Sequence, residues 1–173
     1  MLRRFRAARQ GNAAIEFALI VPVMLLLMAG IVELGRAFEI YSAVDRLTTR
    51  YATAWADCND SPAGACQTEI AQYTSASSIK NFVPQLTSTV TLRMIEVTMS
   101  GGTATIVYAS PGVTALTGVE TTIAAAAISS GQTGVVVTAT YPYTLAYFQG
   151  LMTAIMGINA NRQVSYTVAQ LRS

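Results

Sequence analysis

The chain has 173 residues, of which 52% are hydrophobic and only 12% charged, against roughly a quarter charged in ordinary soluble domains. Of its eleven basic residues four are clustered at the start, Arg3, Arg4, Arg6 and Arg9, and the seven others face nine acidic ones. This excludes a basic nucleic-acid-binding face, and the absence of histidine removes the commonest general base and the commonest metal ligand.

Residues 1–11 read as a short basic leader. An ordinary secretion signal carries its small-residue cleavage site after the apolar core. Here the candidate, Gly11, stands before that core, so a cut there releases only the leader and keeps the apolar segment. Phe17–Val32 carries no formal charge and is almost wholly apolar. With basic residues on one flank only, it reads as a membrane segment whose arginines stay in the cytoplasm.

Glu16 is the odd residue, because a carboxylate in hydrocarbon normally has a partner. Two readings stand. It marks the membrane surface, where its cost is well below the ~2.5–3.5 kcal/mol of a charge at a helix centre. Alternatively, a cut after Gly11 frees the α-amino group of Asn12, and that of a neighbouring subunit neutralises Glu16, fixing one axial register in a low-dielectric bundle.

Residues 12–57 read as one long helix, capped by Asn12 and carried by good helix formers such as Leu25, Leu26, Leu27 and Met28. Pro22 removes one backbone hydrogen bond and is expected to kink or loosen the preceding turn. Beyond the membrane segment Ile40, Val44, Leu47, Tyr51 and Trp55 recur at helical spacing and form one apolar stripe. Asp57–Gly64 is a run of turn-forming residues that ends the helix. Cys58 and Cys66 lie beyond the membrane segment. In an oxidising compartment they form a disulfide, and in a reducing one two free thiols.

Cys66–Phe82 is a helix candidate stopped by Pro84. Thr87–Met99 and Thr103–Ala109 alternate around Ser100-Gly101-Gly102 and read as a β-hairpin. Residues 111–131 are open between a short helix near Val119–Ile128 and a long surface loop. Gly134–Tyr143 reads as a strand ending near Pro142. Leu145–Met156 is apolar but too short to span a membrane, and reads as a short helix or a packed loop. Arg162–Leu171 is the last strand. The expected class is α+β: a long N-terminal transmembrane helix, then a small, mainly antiparallel sheet head with one or two short helices. The expected division is leader 1–11, helix 12–57 and extracytoplasmic head 58–173.

Enzymatic constellations are lacking. There is no phosphate-binding glycine loop before the single lysine, Lys80, and no histidine to activate a serine or threonine. Asp57, Asp60, Glu69, Glu96 and Glu120 are expected to be solvated surface groups. No catalytic residue, metal or cofactor is expected.

Gly11-Asn12-Ala13-Ala14-Ile15-Glu16-Phe17, then Val21-Pro22 and Glu33-Leu34-Gly35-Arg36, resembles the TadE-like family. These are pseudopilins, or minor pilins, of the tight-adherence (Flp) type IV pilus. The resemblance covers residues 3–41 strongly and the C-terminal half more weakly. It implies that a prepilin peptidase cuts after Gly11, making Glu16 the fifth mature residue and Phe17 the sixth. The partners it implies are that peptidase, other pilins and minor pilins, the inner-membrane assembly platform and the membrane itself. The implied location is the bacterial inner membrane, single-pass with the N-terminus cytoplasmic, and the pilus after assembly. The large region after the helix separates the chain from a major Flp pilin, which is mostly helix.

Overall fold

The computed structural model describes residues 2–58, 64–86, 89–147, 149–150 and 161–172. The chain forms two compact units, one of residues 1–38 with 145–160, the other of residues 39–144 with 161–173. A single helix, α1 (Leu2–Ala56), contributes to both. It begins well before Asn12, so Asn12 is not its cap. The leader is rich in Arg, Ala and Gln, which favour helix, and nothing before Gly11 breaks it. The helix also continues through Pro22.

In the second unit the expected helix over Cys66–Phe82 is two short helices, α2 (Ala65–Gln72) and α3 (Ala76–Phe82). Ser75 separates them by taking an extended backbone and accepting a hydrogen bond from the Ser78 amide, a standard N-cap. Four strands follow, β1 (Thr91–Ser100), β2 (Thr103–Ala109), β3 (Thr133–Thr144) and β4 (Asn161–Leu171), with α4 (Gly118–Ala127) between β2 and β3. The sheet is antiparallel throughout, in the order β2-β1-β3-β4. Gly101 and Gly102, both at positive φ, make the tight β1–β2 turn whose twist suits a hairpin. Of the two readings open for residues 111–131, the helix is the one found.

Strand β3 does not stop at Pro142, which pairs with Gln163 of β4. The β1 ladder ends at Thr140, so from Tyr141 onward β3 has only one neighbour. A proline there forfeits no bond on its open side. In the hairpin, Glu96 pairs with Tyr108 but Val97 with Ile106, which leaves Val107 as a bulged residue.

Both faces of the sheet are covered. On one, Ile95, Val97, Met99 and Val136 pack with Ala124 and Ile128 of α4 and its end. Met94, Val135, Val137 and Ala139 point to the other face and are also buried. There the C-terminal part of α1 lies on the sheet: Trp55 meets Tyr108 at 5.7 Å between ring centroids, and the Thr53 hydroxyl donates to Gln170 at 3.1 Å. Ile40, Val44, Leu47, Tyr51 and Trp55, the predicted stripe, are all buried. Two-sided coverage explains why β1 is buried at four consecutive positions, 94–97, where strict alternation was expected.

Candidate functional site

The first unit holds the feature with functional content. The candidate span on α1 begins at Ala13, and none of its most apolar window is buried against the chain itself. Phe17, Leu19, Leu25, Leu27 and Ile31 are each at least 60% exposed. So much apolar side chain left bare on a helix calls for lipid or other helices around it. Among the described residues this is the one helix long and apolar enough to cross a membrane, and it fits a single-pass membrane anchor.

Glu16 is exposed at the start of this surface, beside Phe17. Gly11 and Asn12 lie within α1, and their side chains are outside the described set. A helix rises 1.5 Å per residue, so Asn12 and Glu16 are one turn apart on the same side. Pro22 lies inside the apolar run, where its missing N–H leaves one carbonyl of the preceding turn without its helical partner.

Glu33 closes the run at the other end, and there the arrangement differs. It is 6% exposed. Its carboxylate accepts hydrogen bonds from the main-chain amides of Ala146, at 3.1 and 3.3 Å, and of Tyr147, at 3.2 Å. Arg36, one turn on, has a guanidinium nitrogen 3.9 Å from it. The segment that wraps Glu33 is the start of the β3–β4 connection, 113 positions later in the chain. Sequence reasoning used Glu33 only as part of a motif. The available signal was an acid directly after the apolar run, matching the acid directly before it.

In the second unit Cys58 and Cys66 are bonded, with Cα atoms 5.7 Å apart. Beneath them Glu96, 2% exposed, pairs with Arg172 and accepts from the Gln67 amide at 3.3 Å. Arg172 also donates to the Cys58 carbonyl at 2.6 Å. On the opposite face Glu120, 1% exposed, accepts from Arg93 at 2.9 and 3.1 Å and from the Thr138 hydroxyl at 2.9 Å. It also closes a capping box with Thr117 at the start of α4. Burial pushes the Glu120 carboxyl up. The bonds from Arg93, the Thr117 amide and Thr138 outweigh that and hold it below the ordinary carboxylate range.

Glu96 and Glu120 are therefore not the solvated surface groups expected of them. Each is buried against an arginine: sheet register brings Arg172 to Glu96, and the seating of α4 on the sheet brings Glu120 to Arg93. Asp57 and Glu69 are exposed, and Asp60 lies outside the described residues. Glu96 and Glu120 anchor the fold. A groove of about 230 Å³ beside α1, lined by Leu47, Tyr51, Ile70, Tyr73 and Phe82, is apolar and presents Arg50 as its only charged group among the described residues.

No curated protein and no solved structure matches the chain. Residues 11–52 match the model of the TadE-like protein family, which agrees with the resemblance read from the sequence.

Proposed function

We propose that the chain is a minor pilin or pseudopilin of a Tad/Flp-type type IV pilus, acting in its assembly, initiation or tip. The observation that carries the reading is the bare apolar surface of α1, which starts with Glu16 and Phe17 and lies within the TadE-like segment. In the membrane the helix is stored single-pass with the arginine leader in the cytoplasm, and the head lies on the far side. A prepilin peptidase removes the leader after Gly11. The new Asn12 amino terminus of one subunit then neutralises Glu16 of a neighbour as helices pack into the filament. Other pilins and the inner-membrane platform are its partners, and it works by packing and register, with no catalysis of its own.

Support for the register role is chemical. An exposed carboxylate next to an apolar surface becomes costly once that surface is packed, and an amino terminus is the complementary charge in reach. The test is the intact mass of protein extracted from membranes of cells with an active prepilin peptidase. Loss of residues 1–11 is expected, and replacing Gly11 by a bulky residue should block it. Retention of the leader in the unaltered protein would instead favour an uncleaved, signal-anchored binding domain.

A further inference from the structure

The first unit consists of the apolar helix and one other piece of chain, residues 145–160. That piece runs LAYFQGLMTAIMGINA and contains no charged residue, although it connects two strands of the head. Connections between strands ordinarily run through water and are polar. Its described residues show why it departs from this. The amides of Ala146 and Tyr147 are committed to Glu33, while the Tyr147 side chain stays 62% exposed.

Depth along the helix fixes where this happens. At 1.5 Å per residue, Glu33 stands about 25 Å along the axis from Glu16, within the ~30 Å of a hydrocarbon core. A bare carboxylate at that level would face acyl chains or headgroups without assured hydrogen bonds, a costly position. The main chain at 146–147 supplies those bonds and covers the group. Whatever covers Glu33 stands at the same depth as Glu33, so this segment is at the bilayer boundary. Leu34 and Phe38 of the helix, 58% and 67% exposed, extend the apolar surface there. A tyrosine whose amide is bonded to Glu33, with an apolar ring and a polar hydroxyl, suits the interfacial layer.

We propose that the start of the β3–β4 connection, at Ala146 and Tyr147, is a second membrane-contacting element, inserted into the interfacial lipid layer where α1 emerges, and that Glu33 holds it there through main-chain amides. The occupant of its apolar side is lipid. The inference rests on the membrane-anchored state of the reading above and is independent of leader processing. Leaving the bilayer for a filament then means releasing this element as well as the helix.

The test uses the full chain reconstituted in phosphatidylcholine–phosphatidylglycerol vesicles. Its two native cysteines are joined to each other, so a Tyr147→Cys variant offers one reactive thiol for an environment-sensitive dye, and a Leu26→Cys variant reports the helix. Lipids spin-labelled near the headgroup should quench the dye at 147 about twofold, and lipids labelled deep in the chain should quench it less, as an element ~5–10 Å into the boundary requires. The deep label should quench the dye at 26. Adding Glu33→Leu to Tyr147→Cys should return quenching at 147 toward the unquenched value, whereas Glu33→Gln, which keeps an acceptor oxygen, should retain part of it.

Quenching at 26 but not at 147 overturns the lipid contact and leaves the anchor standing, with a protein neighbour as the alternative cover. Absence at both positions overturns the anchor and the inference together. Quenching at 147 unaffected by Glu33→Leu overturns the holding role of Glu33.

Discussion

Glu120 is buried to 1% exposure and ionised, because four hydrogen bonds from three residues converge on it: two from Arg93, one from Thr138 and one from the Thr117 amide. Removing the carboxylate strands Arg93 and the capped end of α4 at once. Breaking a fully buried pair costs about 3–5 kcal/mol. Here 28% of the Arg93 side chain remains exposed, so Glu120→Ala should cost about 2–4 kcal/mol, read from urea unfolding. The sign with pH follows from the lowered acidity constant. The unfolded chain takes up the proton more readily, so the stabilisation is complete above the ordinary carboxylate value of ~4.3. It is lost as pH falls through the lower folded-state value. The acid-side loss should shrink in Glu120→Gln; an identical acid profile in that variant would sink the argument.

Gly134 presents a steric case at the same scale. A Cβ there would stand 2.5 Å from Ile128 Cδ1 and 2.8 Å from the Gln170 carbonyl oxygen. The backbone of β4 does not give way as a side-chain tip does. Gly134→Ala should therefore destabilise by about 1–3 kcal/mol, in the range of overpacked cores, measured by thermal unfolding.

At the scale of elements, α1 combines segments suited to two different solvents in one continuous helix. Its C-terminal stripe was legible because periodicity is a local property: Ile40, Val44, Leu47, Tyr51 and Trp55 declare a face by spacing alone, and all five are buried. The apolar run declared itself by length. The Glu96–Arg172 and Glu120–Arg93 pairs were illegible, because their partners are 76 and 27 positions apart and only tertiary packing, strand register for the first and the seating of α4 on the sheet for the second, brings them together. Glu33 was hidden for the same reason. The missed helix start at Leu2 had a local cause, since Asn12 is a good cap only where the preceding residues do not favour helix.

The α1–α2 connection is bound by Cys58–Cys66, eight positions apart. Closing so short a loop restricts the unfolded chain by about 2.5 kcal/mol in the chain-entropy account. The Cys58 carbonyl also holds Arg172, so a Cys58→Ser/Cys66→Ser pair should lose about that amount or somewhat more. Comparing urea midpoints with and without reductant checks it, and the serine variant should show no response to reductant.

For the whole molecule, the boundary between the two units falls inside a continuous helix, at Phe38–Glu39, and no linker marks it. A head domain cut by the usual rule, at the first turn after the helix, would start near Cys58. It would lose Val44, Leu47 and Trp55, each at 0% exposure, and uncover Met94, Val135 and Val137 across one sheet face. An apolar patch of that kind drives aggregation. A head starting at Glu39 keeps the stripe and sheds the membrane run. Residues 39–173 should therefore unfold cooperatively, whereas residues 58–173 should aggregate or remain unfolded. Circular dichroism and gel filtration of the two fragments decide it, and a stable, monomeric 58–173 fragment would refute the role given to the stripe.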